Sequence, residues 1–461
     1  MSNQIAEVSP KYLVEEASNR VPAGYKQTEV GVIPEDWEAT TVGHVTSWLS
    51  GGTPNRKRED YWQGDIPWIS GSTLKTLELE TSDQFLTSEG VEAGSKVAPL
   101  DATLLLVRGS ALHSEIRAGL VVAPLCFNQD VKALIPNRSI VPRYLTIYLL
   151  AMESELLKLV SSAGNSAGVL DTELVKNFKF LQPPKHEQTA IANALSDVDA
   201  LISELEKLIA KKQAIKTATM QQLLTGRTRL SQFALREDGT PKGTKPSELG
   251  DIPEDWEPQC LGNYIAALDA GVSVNSVDEC NTFPHGKHIL KTSCVDRGSF
   301  IVTEKKSILP TDLRRAKCSP TKGAIIVSRM NTPALVGEIG YVSCDHPDLF
   351  LPDRLWQMRF KGDSSIDARW LSYVLSFPSV AKRIKDAATG TSGSMKNISK
   401  SSLMVLELAF PLREEQTAIA TILSDMDEEI QALEQRLGKT RQIKQGMMQE
   451  LLTGKTRLMN A

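Results

Sequence analysis

The sequence lacks several features that would place it in a specialised class of protein. No run of about 18 apolar residues occurs, which excludes a membrane-spanning helix. Only 6 of the 461 residues are cysteine and none form a Cys-x-x-Cys pair, which excludes a disulfide framework. The first 28 residues contain no apolar secretory segment, so we expect a cytoplasmic location. With 41% apolar and 23% charged residues, the chain has the composition of a globular protein of several domains. A net charge of -4 argues weakly against a nucleic-acid partner.

An internal duplication is present in the chain. Glu29-Val-Gly-Val-Ile-Pro-Glu-Asp-Trp37 returns as Glu248-Leu-Gly-Asp-Ile-Pro-Glu-Asp-Trp256. Glu187-Gln-Thr-Ala-Ile-Ala192 returns as Glu415-Gln-Thr-Ala-Ile-Ala420, and from there the copies agree at roughly 25 of about 45 positions. The copies end in Leu-Leu-Thr-Gly, at Gly226 and Gly454. The sequences between the repeated blocks look unrelated, so each half is predicted to be a similar frame that carries a different insert.

Each repeat predicts a long helix with an apolar seam at heptad spacing. Prolines at 183, 184 and 411 mark the helix starts, and Gly226 and Gly454 lie where a terminating glycine belongs. Two such helices in one chain are expected to pack antiparallel with pseudo-two-fold symmetry. Beyond the seam, Ile215 and Ile443 suggest a shift of the buried face. The seam residues are Ile191, Leu195, Val198, Ile202 and Leu205 in the first helix and Ile419, Leu423, Met426, Ile430 and Leu433 in the second.

The inserts predict mixed α/β structure with many short strands. Thr103–Arg108 and Ala324–Arg329 are apolar runs that end in an arginine, as expected of buried strands that deliver a basic side chain to a sheet edge. Short helices are predicted at 142–150 and 368–375, and 239–246 is rich in Gly, Pro and Lys, as in a linker. The fold class is therefore α+β, with two globular α/β domains joined by two long antiparallel helices.

Candidate catalytic and metal-binding motifs are weak. Gly454-Lys455-Thr456 resembles the end of a phosphate-binding loop, but Gln449 replaces the leading glycine and the glycine is expected to end a helix. Cys280, His285, His288 and Cys294 could form a zinc set, but their spacing matches no common site. We therefore predict no catalytic residue, no metal and no cofactor in this chain.

Signals for nucleic-acid binding are stronger. Gly51-Gly-Thr-Pro-Asn-Arg-Lys-Arg58 combines a turn of small residues with a basic cluster, and tryptophans follow at 62 and 68. Further basic clusters occur at 314–317 and 382–385. Such cations neutralise phosphates, although each cluster alone also fits a solvated surface. Glycine-containing segments at 164–168 and 390–394 are predicted to be loops near DNA or plain turns.

Several motifs together resemble one known family. Ser50-Gly-Gly-Thr-Pro54, followed by Gly64-Asp-Ile-Pro-Trp-Ile-Ser70, resembles the opening of a target-recognition domain of the DNA specificity subunits of type I restriction-modification enzymes. The Pro-x-x-Glu-Gln helix starts, the Ile-Pro-Glu-Asp-Trp segments and the Leu-Leu-Thr-Gly ends resemble the repeated regions of that family. Ser328-Arg-Met-Asn331 is similar to a recognition domain of another sequence class.

The resemblance implies a non-catalytic DNA-sequence reader. Each recognition domain would read half of an asymmetric, split site in double-stranded DNA. The helices would space the domains and dock two modification subunits, which methylate adenine N6. Restriction subunits would join through that complex. S-adenosylmethionine, ATP and Mg²⁺ would bind to those partners, with no membrane or small-molecule substrate for this chain.

The residue patterns and the family resemblance together give the predicted domain boundaries and DNA contacts. The chain is divided into an N-terminal segment (1–28), a first recognition domain (29–182), a long helix (183–226), a linker (227–247), a second recognition domain (248–410), a second long helix (411–454) and a tail (455–461). The predicted DNA contacts are Gly52, Thr53, Arg56, Lys57, Arg58, Trp68, Ser70, Arg108, Lys291, Arg314, Arg315, Ser328, Arg329 and Asn331. Two alternatives remain open: a self-contained methyltransferase or nuclease with diverged motifs, and a coiled-coil assembly protein without base readout.

Overall fold

A computed structural model describes residues 21–162, 167–279, 282–362, 365–390 and 395–458. The chain forms two compact units. The first comprises Met1–Glu206 and Arg436–Ala461, and the second comprises Lys207–Gln435. Because the divisions fall inside the long helices, each of these helices contributes one part to each unit.

The first unit contains short strands and helices that lead into the first long helix. They are β1 (Tyr25–Thr28), β2 (Gly31–Pro34), β3 (Glu38–Thr41), α1 (Val42–Val45), β4 (Thr46–Ser50), β5 (Ile66–Ile69), β6 (Glu78–Leu79), β7 (Phe85–Leu86), α2 (Ser88–Gly94), β8 (Thr103–Leu106), β9 (Arg108–Gly109), β10 (Ala118–Val121), β11 (Cys126–Phe127), β12 (Val131–Pro136), α3 (Pro142–Ala151), α4 (Glu153–Leu157), β13 (Val160–Ser162), β14 (Gly168–Leu170), α5 (Thr172–Lys176), β15 (Lys179–Gln182) and α6 (Lys185–Leu224). Short 3₁₀ helices lie at Glu59–Tyr61 and Ser110–His113.

The second unit repeats this alternation and leads into the second long helix. Its elements are α7 (Ser231–Ala234), β16 (Thr244–Ser247), β17 (Gly250–Pro253), β18 (Glu257–Cys260), β19 (Ile265–Ala270), β20 (Ser276–Val277), β21 (His288–Leu290), β22 (Val295–Asp296), β23 (Ser299–Phe300), β24 (Lys305–Ile308), β25 (Ile325–Ser328), β26 (Met330–Asn331), β27 (Ile339–Tyr341), β28 (Leu349–Phe350), β29 (Leu355–Phe360), α8 (Ala368–Ser376), α9 (Pro378–Asp386), β30 (Lys396–Asn397), α10 (Lys400–Met404), β31 (Glu407–Phe410) and α11 (Arg413–Leu451). Short 3₁₀ helices lie at Leu261–Asn263, Thr292–Cys294 and Pro310–Arg315.

The two inserts share the pairing of their central strands although their sequences look unrelated. The main sheet of the first unit has the order β4-β12-β8-β10-β6, and that of the second has the order β19-β29-β25-β27. In each unit a further sheet pairs one strand in parallel, β11 with β5 and β28 with β21. The same central strand pairs antiparallel on its other side, with β7 and β24 respectively. Inserts that look unrelated in sequence therefore pair their central strands in the same way, and the predicted α+β fold with an internal repeat is confirmed.

Buried apolar strands and one helix face form the core of each unit. In the first unit, β8 (Thr103–Leu106) is buried at every position and packs with α3, whose start has proline at its first turn. In the second unit, β25 has the same role, and Asp367 caps α8 by accepting a hydrogen bond from the backbone N–H of Trp370 at 2.9 Å. Each of these two helices covers its predicted span and extends one residue beyond it.

The long helices begin and end at repeated signals. Pro184 and Leu412 accept the first turn's backbone hydrogen bonds, from Gln188 and Gln416. Gly226 and Gly454 follow the helices with left-handed φ values of 68° and 73°. The Thr228 and Thr456 amides donate to the carbonyls of Gln222 and Glu450, so carbonyls of the last helical turn are satisfied after each glycine. Gly454 is therefore a helix terminator, and the reading of 454–456 as a phosphate loop is not needed.

The segment 227–247, predicted as a linker, is folded structure of the second unit. Thr244–Ser247 pairs antiparallel with Gly250–Pro253, and Leu235 forms an isolated bridge with Pro241. Arg229 is half-buried and belongs to an ion network described below. The Gly, Pro and Lys composition reflects tight turns here, because Asp238 and Gly239 form a turn closed by Arg236 and Thr240.

Candidate nucleic-acid interface

The loop after β4 is held against the first unit by its small residues. A Cβ on Gly52 would lie 2.2 Å from the carbonyl oxygen of Gly94, so the glycine is required by packing within the protein. Thr53 Oγ1 donates to Gln129 Oε1 at 2.5 Å, and the Trp68 indole N–H donates to the Gly52 carbonyl at 3.2 Å. Ser70 is buried and its hydroxyl bonds that of Ser72. These residues hold the loop in place through contacts with the rest of the first unit.

The basic residues of this loop have different surroundings. Arg58 makes a two-point ion pair with Asp60, at 2.9 and 2.5 Å, and its guanidinium lies over Tyr61. The hydrogen bond from Arg58 lowers the pKa of Asp60. Arg56 instead stacks on two tryptophans, and Lys57 is exposed. Arg56 and Lys57 are thus the cations of this cluster that the protein does not neutralise within its described residues.

The arginines that follow the two central strands are not equivalent. The backbone N–H of Arg329 donates to the carbonyl of Arg354, just before β29, and its carbonyl accepts from Ile398. In the first unit the corresponding bonds are made by Val107, with Asp130 and Leu170. Arg329 therefore matches Val107, and Arg108 lies one position later. As a result Arg108 is exposed, whereas Arg329 is half-buried over Trp356 at 5.4 Å.

Predicted contacts next to Arg329 are engaged within the protein. Ser328 is fully buried, and it accepts a hydrogen bond from the Asn331 side-chain amide at 3.2 Å. The Nε of Arg329 and the indole Nε1 of Trp356 are enclosed and have no hydrogen-bond partner among the described residues. Unpartnered buried donors of this kind are costly, so they mark a place where an acceptor would be stabilised.

An open cleft of about 510 Å³ lies beside this strand end in the second unit. Its cations are Lys291, Lys306 and Arg354, and its hydroxyls come from serines and threonines of β20 and the segment after β21. Asp278 pairs with Lys306 at 3.1 Å and Lys291 at 3.6 Å, and the hydrogen bond from Lys306 lowers the pKa of Asp278. Lys306 and Arg354 were not predicted as DNA contacts, because Arg354 is a single cation just before β29 and Lys306 has only Lys305 beside it in sequence.

The two predicted arginines near this cleft, Arg314 and Arg315, differ in their contacts within the protein. Arg315 pairs with Asp312 at 3.0 Å and donates to the carbonyl of Ser273, which lines the cleft. Arg314 is exposed. Thus the structure brings Lys291 and Arg315 to one cleft, together with Arg354.

An ion network around the buried carboxylate of Glu187, the first clamp (Asp36, Trp37, Glu187, Arg457), joins three repeated blocks of the first unit. Arg457 donates to both carboxylate oxygens of Glu187, at 2.7 and 2.8 Å, and to both of Asp36, at 2.9 and 2.8 Å. The Trp37 indole N–H also donates to Glu187, at 2.9 Å. The hydrogen bond from Arg457 lowers the pKa of Asp36, and the bond to Glu187 raises the pKa of Arg457.

The second clamp (Asp255, Trp256, Glu415, Arg229) repeats this network in the second unit. Arg229 bonds Glu415 at 2.6 and 2.7 Å and Asp255 at 2.7 and 3.0 Å, and the Trp256 indole N–H donates to Glu415. Lys242 adds an ion pair to Asp255 at 2.7 Å. Sequence reasoning found the repeated blocks but not the clamps. The clamps could have been found from the charged residues that are identical in both repeats.

The glutamines beside these glutamates anchor each long helix to its own unit. Gln188 accepts from the Val141 amide and donates to the carbonyls of Ser139 and Pro183. Gln416 makes the matching three bonds, to Asp367, Ser365 and Pro411. The Glu-Gln pair therefore fixes the helix start in both copies.

The predicted apolar seam is buried to different degrees. Six of its residues have under a tenth of their surface exposed: Ile191, Leu195, Leu205, Ile419, Leu423 and Ile430. Val198, Ile202, Met426 and Leu433 are half-buried. Ile215 and Ile443 are 42% and 50% exposed, so the predicted shift of the buried face is wrong.

Ion pairs continue the helix contacts where the apolar seam ends. In the first unit Lys444 pairs with Asp199 and Arg441 with Glu206. In the second unit Lys212 pairs with Glu429, and Lys216 pairs with Asp427. In both units the residue number along α11 falls as the number of its partner along α6 rises, as antiparallel helices require.

The alternative motifs give no catalytic arrangement among the described residues. Cys280 and most of the two glycine-containing loops lie outside the described residues; Cys294 is buried in an apolar cluster. Gly164 to Gly168 has the spacing Gly-x-Ser-x-Gly, but its serine lies outside the described residues, and Gly168 begins β14, a strand that pairs antiparallel with β13. Within the described ranges no cluster of three metal-ligating side chains occurs, and no helix could cross a membrane.

Comparisons with known proteins agree with this architecture. A family model described as the type I restriction modification DNA specificity domain matches residues 34–217 and 253–445. The type I restriction enzyme MjaVIII specificity subunit of Methanocaldococcus jannaschii is 27% identical over 432 residues, 93% of this chain and 95% of that subunit. A type I restriction enzyme specificity subunit of Escherichia coli is 29% identical over 183 residues, which is 39% of this chain and under half (44%) of that subunit. The crystal structure of a type I restriction-modification S subunit from M. genitalium has a similar fold, with a TM-score of 0.57 at 13% identity over 90% of this chain and 96% of that one.

Proposed function

The chain belongs to the family of type I restriction-modification DNA specificity subunits, and from this premise we propose that each of its units reads one half of a bipartite, asymmetric DNA site. One observation carries the proposal: the same strand topology appears twice with different exposed side chains. The first unit presents Arg56 on two indoles, and the second presents a cleft with Lys291 and Arg354. Different donors and acceptors on a common frame read different bases in the major groove.

The methylated motif of cells that carry this chain with its partner subunits tests this proposal. We expect a single motif made of two specified parts separated by a spacer of unspecified bases. Arg329→Ala is expected to weaken recognition by roughly 1–3 kcal/mol and to relax one part only, since the second unit reads that part. A contiguous motif in the wild type contradicts the two-reader proposal.

We further infer that the long helices dock two adenine-N6 methyltransferase subunits, and through them the restriction subunits. Equivalent positions of the two repeats, Ile215 and Ile443, expose an apolar side chain on each helix. Identical partners fit such a repeated surface. Ile215→Glu and Ile443→Glu are each expected to lower methyltransferase binding in pull-down assays without lowering the melting temperature. Leu205→Glu, in the buried seam, should lower both.

The chain itself is proposed to be non-catalytic, with S-adenosylmethionine, ATP and Mg²⁺ bound by partner subunits. The alternative is a self-contained methyltransferase or nuclease. Purified chain incubated with S-adenosylmethionine and motif DNA is expected to transfer no methyl group, and addition of the methyltransferase subunits should restore transfer. Robust transfer by the chain alone supports the alternative.

A further inference from the structure

A small open pocket in the first unit carries both a cation and an anion. Its volume is about 290 Å³, and Arg56, Trp62, Asp83, Gln84 and Phe85 line it. It lies where the loop after β4 meets the segment that enters β7. The Gln84 Oε1 is enclosed and has no hydrogen-bond partner among the described residues, so this wall has unused polar capacity.

Arg56 is held in place by aromatic contacts and not by an ion pair. Its guanidinium carbon lies 4.7 Å from the ring centroid of Trp62 and 5.1 Å from that of Trp68. The two indoles meet edge to face at 5.0 Å. Such cation–π contacts orient a guanidinium without occupying its N–H groups in an ion pair. Among the described residues no carboxylate lies within ion-pair distance of Arg56.

The two tryptophans that contact Arg56 are themselves held by hydrogen bonds. The Trp62 indole N–H donates to the carbonyl of Asn55 at 3.4 Å, and the Trp68 indole N–H donates to that of Gly52. The Trp68 backbone also pairs with Gln84, through an N–H bond of 2.8 Å to its carbonyl. Both walls of the pocket are thereby tied together, and little ordering is required when a ligand binds.

The carboxylate at the mouth decides between two kinds of DNA contact. Asp83 is exposed, and no ion pair of its side chain occurs within the described ranges. A carboxylate beside a phosphate is electrostatically unfavourable. A G·C base pair, by contrast, presents two acceptors on guanine (O6 and N7) and one donor on cytosine (N4) along one groove edge. An arginine and an aspartate together match this pattern.

We propose that Arg56 and Asp83 read one G·C pair of the half-site bound by the first unit. Arg56 donates two hydrogen bonds to O6 and N7 of guanine, and Asp83 accepts one from N4 of cytosine. The proposal rests on the proposed function, because it requires the first unit to read a half-site. It makes Arg56 and Asp83 specificity-determining residues and leaves Arg58, paired with Asp60, outside the readout.

The methylated motif of cells expressing the full chain with its partner subunits tests the assignment. Arg56→Ala and Asp83→Ala are expected to relax the same G·C pair, in the half-site that Arg329→Ala leaves unchanged. Arg138→Ala removes the same charge from the exposed loop between β12 and α3 of the same unit, and is expected to keep the motif. Relaxation at two different positions, or a first half-site without a G·C pair, overturns the proposal.

Binding by the purified complex gives a second, chemical test. Replacing the assigned guanine by 7-deazaguanine removes the N7 acceptor, and wild-type affinity is expected to fall on the order of 10-fold. Arg56→Lys keeps the charge but loses the two-point hydrogen bonding of the guanidinium. Its DNA affinity should not change with that replacement, and its melting temperature should equal that of the wild type. An equal loss of affinity for all DNA sequences in Arg56→Lys would identify a phosphate contact and refute base reading. If the wild-type motif is contiguous, the proposed function fails before this test applies.

Discussion

Asp255 shows how a single residue couples the stability of the second unit to pH. Burial alone would raise its pKa, but hydrogen bonds from Arg229 and Lys242 outweigh burial and lower the pKa from 3.8 to about 2. Because the folded-state pKa lies below the unfolded-state value, the stabilisation is complete above about pH 4 and is lost as the pH falls towards about 2. Acid unfolding of the second unit therefore includes the opening of its clamp.

Asp255→Asn is expected to flatten this part of the acid response. The variant is less stable than the wild type near neutral pH, and its stability falls less steeply between about pH 4 and pH 2. Urea unfolding midpoints measured at intervals of pH check the slope. Asp251→Asn, at an exposed acid of the neighbouring strand β17, should keep the wild-type slope. An unchanged slope in Asp255→Asn contradicts the pairing.

At the scale of the element, the glycine inside α11 and the glycine that follows it have opposite requirements. Gly454 ends the helix with φ 73°, and a Cβ there would lie 2.5 Å from Cδ of Pro34. Gly438 lies in the helix interior with open space around it. We expect Gly454→Ala to destabilise the protein by about 1–2 kcal/mol from backbone strain, with a further loss from the clash. Gly438→Ala should stabilise it by about 1 kcal/mol. Thermal unfolding of both variants checks the opposite signs, and a higher melting temperature for Gly454→Ala would contradict the first.

Local patterns predicted the elements that depend on neighbouring residues. Heptad spacing, the prolines and Gly454 together indicated the long helices, because capping and helix periodicity are local. Strand pairing is not local: β4 pairs with β12, more than 80 residues later, and nothing in either sequence specifies that partner. This is why two inserts without visible similarity could share a topology unnoticed.

The candidate site was predictable by residue type more than by position. The tryptophans and Arg56 were identified together, and they do meet. Arg108 and Arg329 both follow apolar strands, yet a register difference of one residue places them differently, since one position reverses the direction of a strand side chain. Asp83 carried no sequence signal, because its role depends on proximity to Arg56 in the folded chain.

At the scale of the whole chain, duplication supplies each unit with its own clamp. Arg457, after the second long helix, bonds Glu187 at the start of the first helix, and Arg229, after the first helix, bonds Glu415 at the start of the second. The clamps share no residue. Removing the arginine partner of a buried carboxylate costs about 3–5 kcal/mol, because here Glu187 or Glu415 stays buried without its ion pair. Each loss should therefore act on one unit.

Amide hydrogen exchange can resolve the two units separately. Arg457→Ala is expected to raise exchange in β1 to β3 and at the start of α6, with little change in 207–435. Arg229→Ala should do the reverse, in β16 to β18 and at the start of α11, and the double variant should show both patterns, since sites without shared partners are additive. Arg236→Ala, at a solvent-exposed pair with Glu254, serves as the control and should change neither unit. A rise across both units in either single variant would mean that the clamps are coupled, and stability would then belong to the chain as a whole and not to its repeats.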